Sequence, residues 1–214
     1  MPAVGTSSGA ANATTDPGRL IGVTTALLFL LLGILSAYSL TWKFEHDAPV
    51  MMYIALLIER MDLVPYRDVF DMNLPGSYLA YSAIGRLGGY TDLGGRFGDL
   101  IILAATLTIN WRWLRPVSPR AALLGSALWG SLYLSLGPLV SLQREHLLLL
   151  PLLGSVAFAS KRSMSGTARS LTAGVCLGLA ATVKPQVLIG RSSNGSRAGR
   201  PPSRNSLAPL ATAG

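Results

Sequence analysis

The stretch "LIGVTTALLFLLLGILSAYSL", residues 20–40, decides the fold class. It runs for 21 residues without a charge. At about 1.5 Å per residue, a helix of that length crosses a hydrocarbon core of roughly 30 Å. A cleaved signal peptide competes for the same residues, because "SAYS" at 36–39 offers a cleavage site. Two features favour an uncleaved span. The apolar core exceeds the usual ~7–15 residues, and Arg19 is the only positive charge ahead of it.

Composition agrees with a membrane class. The 214 residues are 50% hydrophobic and 13% charged, and the mean hydropathy is +0.44. Soluble domains carry about 25% charge. Apolar content this high excludes disorder for most of the chain. The single cysteine, Cys176, lies in an apolar run and excludes an internal disulfide and a cysteine-rich metal site. The net charge is +8, but Lys184, Arg191, Arg197, Arg200 and Arg204 supply much of it from the last 31 residues. Basic charge spread this way between apolar runs and a tail points away from nucleic acid as a partner.

Further apolar runs follow residue 40. Residues 41–97 form a polar interval around an apolar island, Ala48 to Ile58, which suits a helix in the membrane interface. Glu59 and Arg60, just beyond it, are expected to face water. A second span is centred on 100–111 and starts near Gly94, so it takes in Arg96 and Asp99, which can pair three residues apart. A third runs from Ala121 to Leu142, a shorter fourth from Leu147 to Ser160, and a fifth from Leu171 to Gly190, broken by Lys184-Pro185. The expected fold is therefore all-α, a transmembrane bundle of about five spans at 20–190 with a large first outer loop at 41–97. Residues 1–19 read as a disordered leader.

Charge asymmetry orients the bundle. The connectors 111–120 and 161–169 each carry three positive charges and no acid, which assigns them to the cytoplasm. Alternation then places 41–97, "QREH" at 143–146 and the Lys184 end of the fifth span on the outer face of a cell membrane. Residues 191–214 break from this style and are rich in Gly, Ser, Pro and Arg. Two readings stay open for them, a disordered tail or the product of a frameshift after Ile189. "NAT" at 12–14 and "NGS" at 194–196 match the glycosylation triplet, a pattern common by chance.

The orientation gathers the polar residues on one side: Asp47, Asp68, Asp71 and Asn73 in the outer loop, Arg144, Glu145 and His146 in the next outer turn, and Lys184. Ionisable groups at membrane depth are functional candidates by default. Basic residues facing carboxylates suit an anionic ligand beside a general base. Plainer roles compete. Asp47 precedes Ala48-Pro49 and suits an N-cap. Asp71 and Asn73 precede Pro75-Gly76 and suit Asx turns. Ser77 suits the cap of a helix that ends near Gly88-Gly89. Arg144 and Glu145 suit a pair on a helix end, His146 an interfacial position, and Lys184 a snorkelling helix end. No metal-ligand spacing, nucleophile elbow or phosphate-binding glycine loop occurs in the sequence.

The ordered set "HDAPVMMY", "PYRDVFDMNLPGSYL", "QREHLLLLPLL" and "VKP" resembles the N-terminal part of an integral-membrane glycosyltransferase of the C-type superfamily. It is most similar to the family related to protein O-mannosyltransferases and lipid A aminoarabinose transferases. The resemblance covers about residues 20–189, with the "PYRD-x-x-D-x-N-x-PG" segment its most specific part. It implies transfer of a sugar from a polyprenyl-phosphate donor to an acceptor on the outer face, with lipids around the bundle. It implies Asp47 as catalytic base, Asp68, Asp71 and Asn73 near the sugar or acceptor, Arg144 and Glu145 lining the cavity, and Lys184 near the donor phosphate. No cofactor is expected, although some members of the wider superfamily use a metal. Such proteins have more spans, so a truncated chain with incomplete cavity walls is expected. A transporter or lipid flippase is the alternative, favoured by intramembrane charge and Pro-broken spans. An inactive fragment is the third reading.

Overall fold

The structure is a computed structural model that describes residues 17–188. Residues 1–16 of the expected leader, the tail from 189 and both glycosylation triplets lie outside the described residues, whereas residues 17–19, read as part of the disordered leader, form the first turn of a helix. The described chain is helical throughout: α1 (Pro17–Ser39), α2 (Ala48–Met61), α3 (Pro75–Gly88), α4 (Asp92–Leu114), α5 (Pro119–Ser135), α6 (Arg144–Ala159) and α7 (Gly166–Val183), then a 3-10 turn at Pro185–Leu188. No strand forms among these residues, only an isolated bridge between Pro65 and Val69.

Local chemistry sets the helix ends. The Thr91 hydroxyl accepts from the Gly94 N–H at 3.1 Å and starts α4. Ser118 and Ser165 cap α5 and α7 in the same way. Pro49 and Pro75 sit in the first turns of α2 and α3, where a missing N–H costs nothing. At the end of α3, Gly89 takes φ +75°, as expected of the Gly88-Gly89 pair.

The structure corrects several readings of the sequence. The third apolar run stays helical only to Ser135, because Gly137 takes φ +81° and Pro138 follows, so 136–143 is a turn. Ser77 does not cap α3. Leu74 holds the cap position, and the Ser77 hydroxyl is buried in the first turn without a partner. Glu59 does not simply face water but pairs with Arg86 of α3.

The helices form a chain of neighbours. α1 lies along α5, α5 along α4, α4 against α3 and α6, and α7 against α6 and α3, with α2 packed on α3. One core joins α2 and α3 around Met51, Met52, Ala55, Tyr78, Tyr81 and Ile84. A second joins Leu103, Tyr133 and Leu134, with Leu32 and Leu35 of α1 beside it. α3 turns into α4 at very close range, and a Cβ on Gly94 would lie 2.0 Å from the Gly88 carbonyl oxygen.

Charge divides between the two ends of the bundle. Of the nine described carboxylates, seven lie between Glu45 and Asp92, Asp99 lies two turns into α4 and Glu145 lies in the first turn of α6, so all nine lie toward the end of the bundle where α4 and α6 begin. Arg112, Arg115, Arg120, Lys161, Arg162 and Arg169 sit at the other. Among the described residues, α1 is the one helix that is both long and apolar enough to cross a membrane on length and composition. α4 matches its 23 residues but carries Asp92, Arg96, Asp99 and Arg112.

Gly94→Ala is expected to lower stability by about 1–3 kcal/mol through overpacking against backbone. Gly125→Ala, where a Cβ meets nothing within 4 Å, is expected to hold or raise it, since Ala outranks Gly within a helix. Thermal unfolding of the two variants in one detergent compares them directly.

Candidate functional site

The starts of α2, α3 and α6 meet the end of α7. Asp47 holds the N-cap position of α2 but makes no side-chain cap bond. Its carboxylate instead accepts from Arg144 Nη2 at 2.7 Å, across 97 residues of sequence. His46 Nδ1 lies 3.1 Å from the other oxygen. The Asp47 side chain keeps 37% of its exposure, so it is held by Arg144 yet open to solvent. Arg144 is 25% exposed, and its Nε has no partner. Arg144 and Glu145 therefore do not pair with each other: Glu145 takes Lys184, the residue after α7.

The "PYRDVFDMNLPGSY" loop splits into two halves. In the first, Arg67 Nε and Nη2 both donate to Asp68, at 2.9 and 2.7 Å, and the Val64 N–H donates to Asp68 Oδ2 at 2.8 Å. Hydrogen bonding from Arg67 and then Val64 holds the Asp68 carboxyl well below its ordinary value, at about 2. Asp68 thus serves its own loop rather than reaching Asp47. In the second half, Asp71 Oδ2 accepts from Asn73 Nδ2 at 2.7 Å and from the Tyr78 hydroxyl at 3.0 Å. Burial pushes the Asp71 carboxyl up, but those two bonds and backbone N–H groups outweigh it and hold it below its ordinary value. Asn73 Nδ2 also lies 3.2 Å from Met51 Sδ, one turn into α2 from Asp47. The Tyr66 hydroxyl donates to the Asn73 carbonyl and closes the loop.

Beneath Arg144 lies a buried polar cluster. Asp99 Oδ1 accepts from the Tyr133 hydroxyl at 2.7 Å and from the Leu142 N–H at 3.1 Å. Ser141 bridges Asp99 and the fully buried Arg96. The Arg96 guanidinium also lies 5.9 and 5.7 Å from the Trp42 and Phe44 rings. The Arg96–Asp99 pairing expected from their spacing is present, at 3.7 Å. His146 is not interfacial. It is buried, stacked on Tyr133 at 4.0 Å between ring centroids, with Nε2 3.6 Å from Asp99. The Tyr81 hydroxyl donates to the Leu142 carbonyl, which ties α3 to the same turn. Burial pushes the Tyr81 phenol well above its ordinary value, with Arg144 pulling it partly back, so it stays a neutral donor.

Sequence reasoning missed Tyr78, Tyr81, Tyr133 and Ser141. The spacing of Tyr78 and Tyr81 puts both on one face of α3, which was a readable sign. Nothing local marked Tyr133 or Ser141, because their partner is on another helix.

An open cavity of about 1010 Å³ runs down the bundle from this end, between α3, α4, α6 and α7. Its walls are apolar, among them Ile84, Phe97, Ile101, Leu150, Phe158 and Leu179. Gly76, Thr182 and Val183 form its upper edge, next to Lys184. No cluster of His, Cys, Asp or Glu able to hold a metal ion occurs among the described residues. Compared with protein-family models, curated proteins and solved structures, the chain gives no match.

The Asp68 bonds give a pH test. A folded value below the ordinary 3.8 means that the carboxylate supports the loop above about pH 4, and that this support is lost as pH falls toward about 2. Hydrogen exchange at the Val64 amide should stay protected down to about pH 4 and lose protection below it. Asp68→Asn should remove that step.

Proposed function

We propose that this chain is the acceptor-activating part of a membrane glycosyltransferase, one that moves a sugar from a polyprenyl-phosphate to an acceptor at the outer face. The carrying observation is the Asp47 carboxylate, part exposed, held 2.7 Å from Arg144. The reading takes α1, α4, α5, α6 and α7 as five spans, with the carboxylate-bearing end outward and the cationic connectors inward. The three Lys or Arg residues in each of the two short connectors support that orientation. α5, at 17 residues, meets the short limit of spanning helices and α6, at 16, falls one residue below it, while the polar cluster around Asp99 is shielded inside the bundle rather than facing lipid.

The chemistry follows from the residues. The acceptor hydroxyl passes its proton to Asp47 as its oxygen bonds to the anomeric carbon. The bond from that carbon to the phosphate oxygen breaks, and its electron pair leaves with the lipid phosphate. Inversion at the anomeric carbon results. Arg144 and Lys184, with the N-termini of α2, α3 and α6 nearby, oppose the developing negative charge. Glu145 holds Lys184 in place until the anion arrives. Asp71 and Asn73 fix the loop against α2 beside the base, a supporting role, and Asp68 rigidifies the loop's first half. The apolar groove below Lys184 suits the prenyl chain, its length lying along α6 and α7.

Asp47→Asn keeps the shape and the Arg144 contact but removes the base. Transfer from a polyprenyl-phosphate sugar, assayed in membranes containing the chain, is expected to fall by about 10²–10⁴-fold with unchanged membrane content. Undiminished transfer would refute the assignment of Asp47. Movement of the lipid-linked sugar across vesicles, without change to the sugar, would favour a flippase instead.

A further inference from the structure

The cationic end of the bundle holds a second cavity, of about 440 Å³, between α6 and α7. It is graded in polarity along its length. Arg169, Ser170 and Ser160 line the mouth, while Val156, Ala173 and Leu177 line the part nearer the bundle centre. Ser155 is not free to bind there, because its hydroxyl donates to the Ala173 carbonyl at 2.9 Å and joins the two helices. Arg169 is half-buried, and its guanidinium has no protein partner among the described residues. Lys161 and Arg162 follow the mouth directly in the chain and are exposed. No carboxylate occurs anywhere in 146–188.

Each feature selects for the same chemistry. Unpaired cations around a pocket call for an anion with several acceptor oxygens. An apolar continuation between two helices calls for a hydrocarbon chain on that anion. We propose that this cavity binds an anionic phospholipid, with the phosphate at Arg169 and Ser170 and an acyl chain along Val156 and Leu177. The proposal rests on the membrane-spanning reading, in which this end faces the cytoplasmic leaflet, where lipid negative charge attracts clustered Lys and Arg. It concerns the opposite end of the bundle from Asp47, so the lipid is a bound structural partner rather than the sugar donor.

The test uses the full chain purified in a neutral detergent, with phosphatidylglycerol, phosphatidylcholine of the same acyl chains, and glycerol 1-phosphate as probes. Native mass spectrometry reads the bound species. Wild type is expected to retain phosphatidylglycerol over phosphatidylcholine. Arg169→Gln should lower that ratio by about fivefold, the effect of one cation near an anionic surface. Gly174→Leu places a side chain where a Cβ meets nothing within 4 Å, so it fills the cavity without moving the backbone and should expel both lipids. Arg115→Gln, at the same end but beside Trp111, should change nothing. An unaltered ratio in Arg169→Gln, or unaltered retention in Gly174→Leu, would overturn the proposal. Glycerol 1-phosphate binding as tightly as the lipid would make this a soluble-phosphate site and overturn the lipid assignment. If Arg169→Gln fails to fold, Gly174→Leu decides. Failure of the chain to fractionate with membranes would sink the spanning reading, whereas a membrane-bound chain without the preference would sink the lipid site alone.

Discussion

The Asp99 carboxylate is the constraint on which the rest of this structure depends. A buried carboxylate costs several kcal/mol unless charge and hydrogen bonds compensate it. Here Arg96, Tyr133, Ser141 and the Leu142 N–H all serve it, from α4, α5 and the turn that follows. Leu142 sits at φ 58°, a left-handed conformation that costs an ordinary residue about 1–3 kcal/mol. Asp99 on its N–H and Tyr81 on its carbonyl hold it there. Two residues later the chain reaches Arg144, already aimed at Asp47. The site is thus built from the inside outward, with a buried network fixing a strained turn and the turn fixing the guanidinium.

Close backbone contact does the corresponding work for the segment 41–97. Gly88 and Gly94 let α3 fold back on α4, and Gly76 lets the start of α3 touch Thr182 of α7. These approaches bring the ends of α2, α3, α6 and α7 together. The same geometry leaves the apolar faces of α3, α4, α6 and α7 apart lower down, and the large groove is the space between them. Under the proposed function, this polar junction and the apolar groove would take the head and the chain of an amphiphilic phosphate ester.

Much of the fold was legible in the sequence, and the reasons are local. Uncharged runs at 20–40 and 121–142 and the Pro and Gly signals around 75–89 each act within a few residues. Overreading came where the apolar count continued past Gly137-Pro138, since composition does not record a left-handed turn. In the site, Asp47, Arg144, Glu145 and Lys184 were singled out and do come together. Their pairing was not legible, because Arg144 crosses to Asp47 and Glu145 to Lys184 rather than to each other. The Asp68 role was hidden for the opposite reason, since its partners Arg67 and Val64 are too local to suggest anything beyond a turn. The burial of His146 depended on Tyr133 and Asp99, neither of which is near it in sequence.

The central claim is that the carboxylate-rich end and the cationic end of one bundle lie on opposite sides of a membrane. Single cysteines at Glu45 and Ser163, in a Cys176→Ser background, mark the two ends. A membrane-impermeant maleimide applied to intact cells should label the cysteine at 45 and reach the one at 163 only after permeabilisation. Equal labelling of both in intact cells, or the reverse order, would contradict the account.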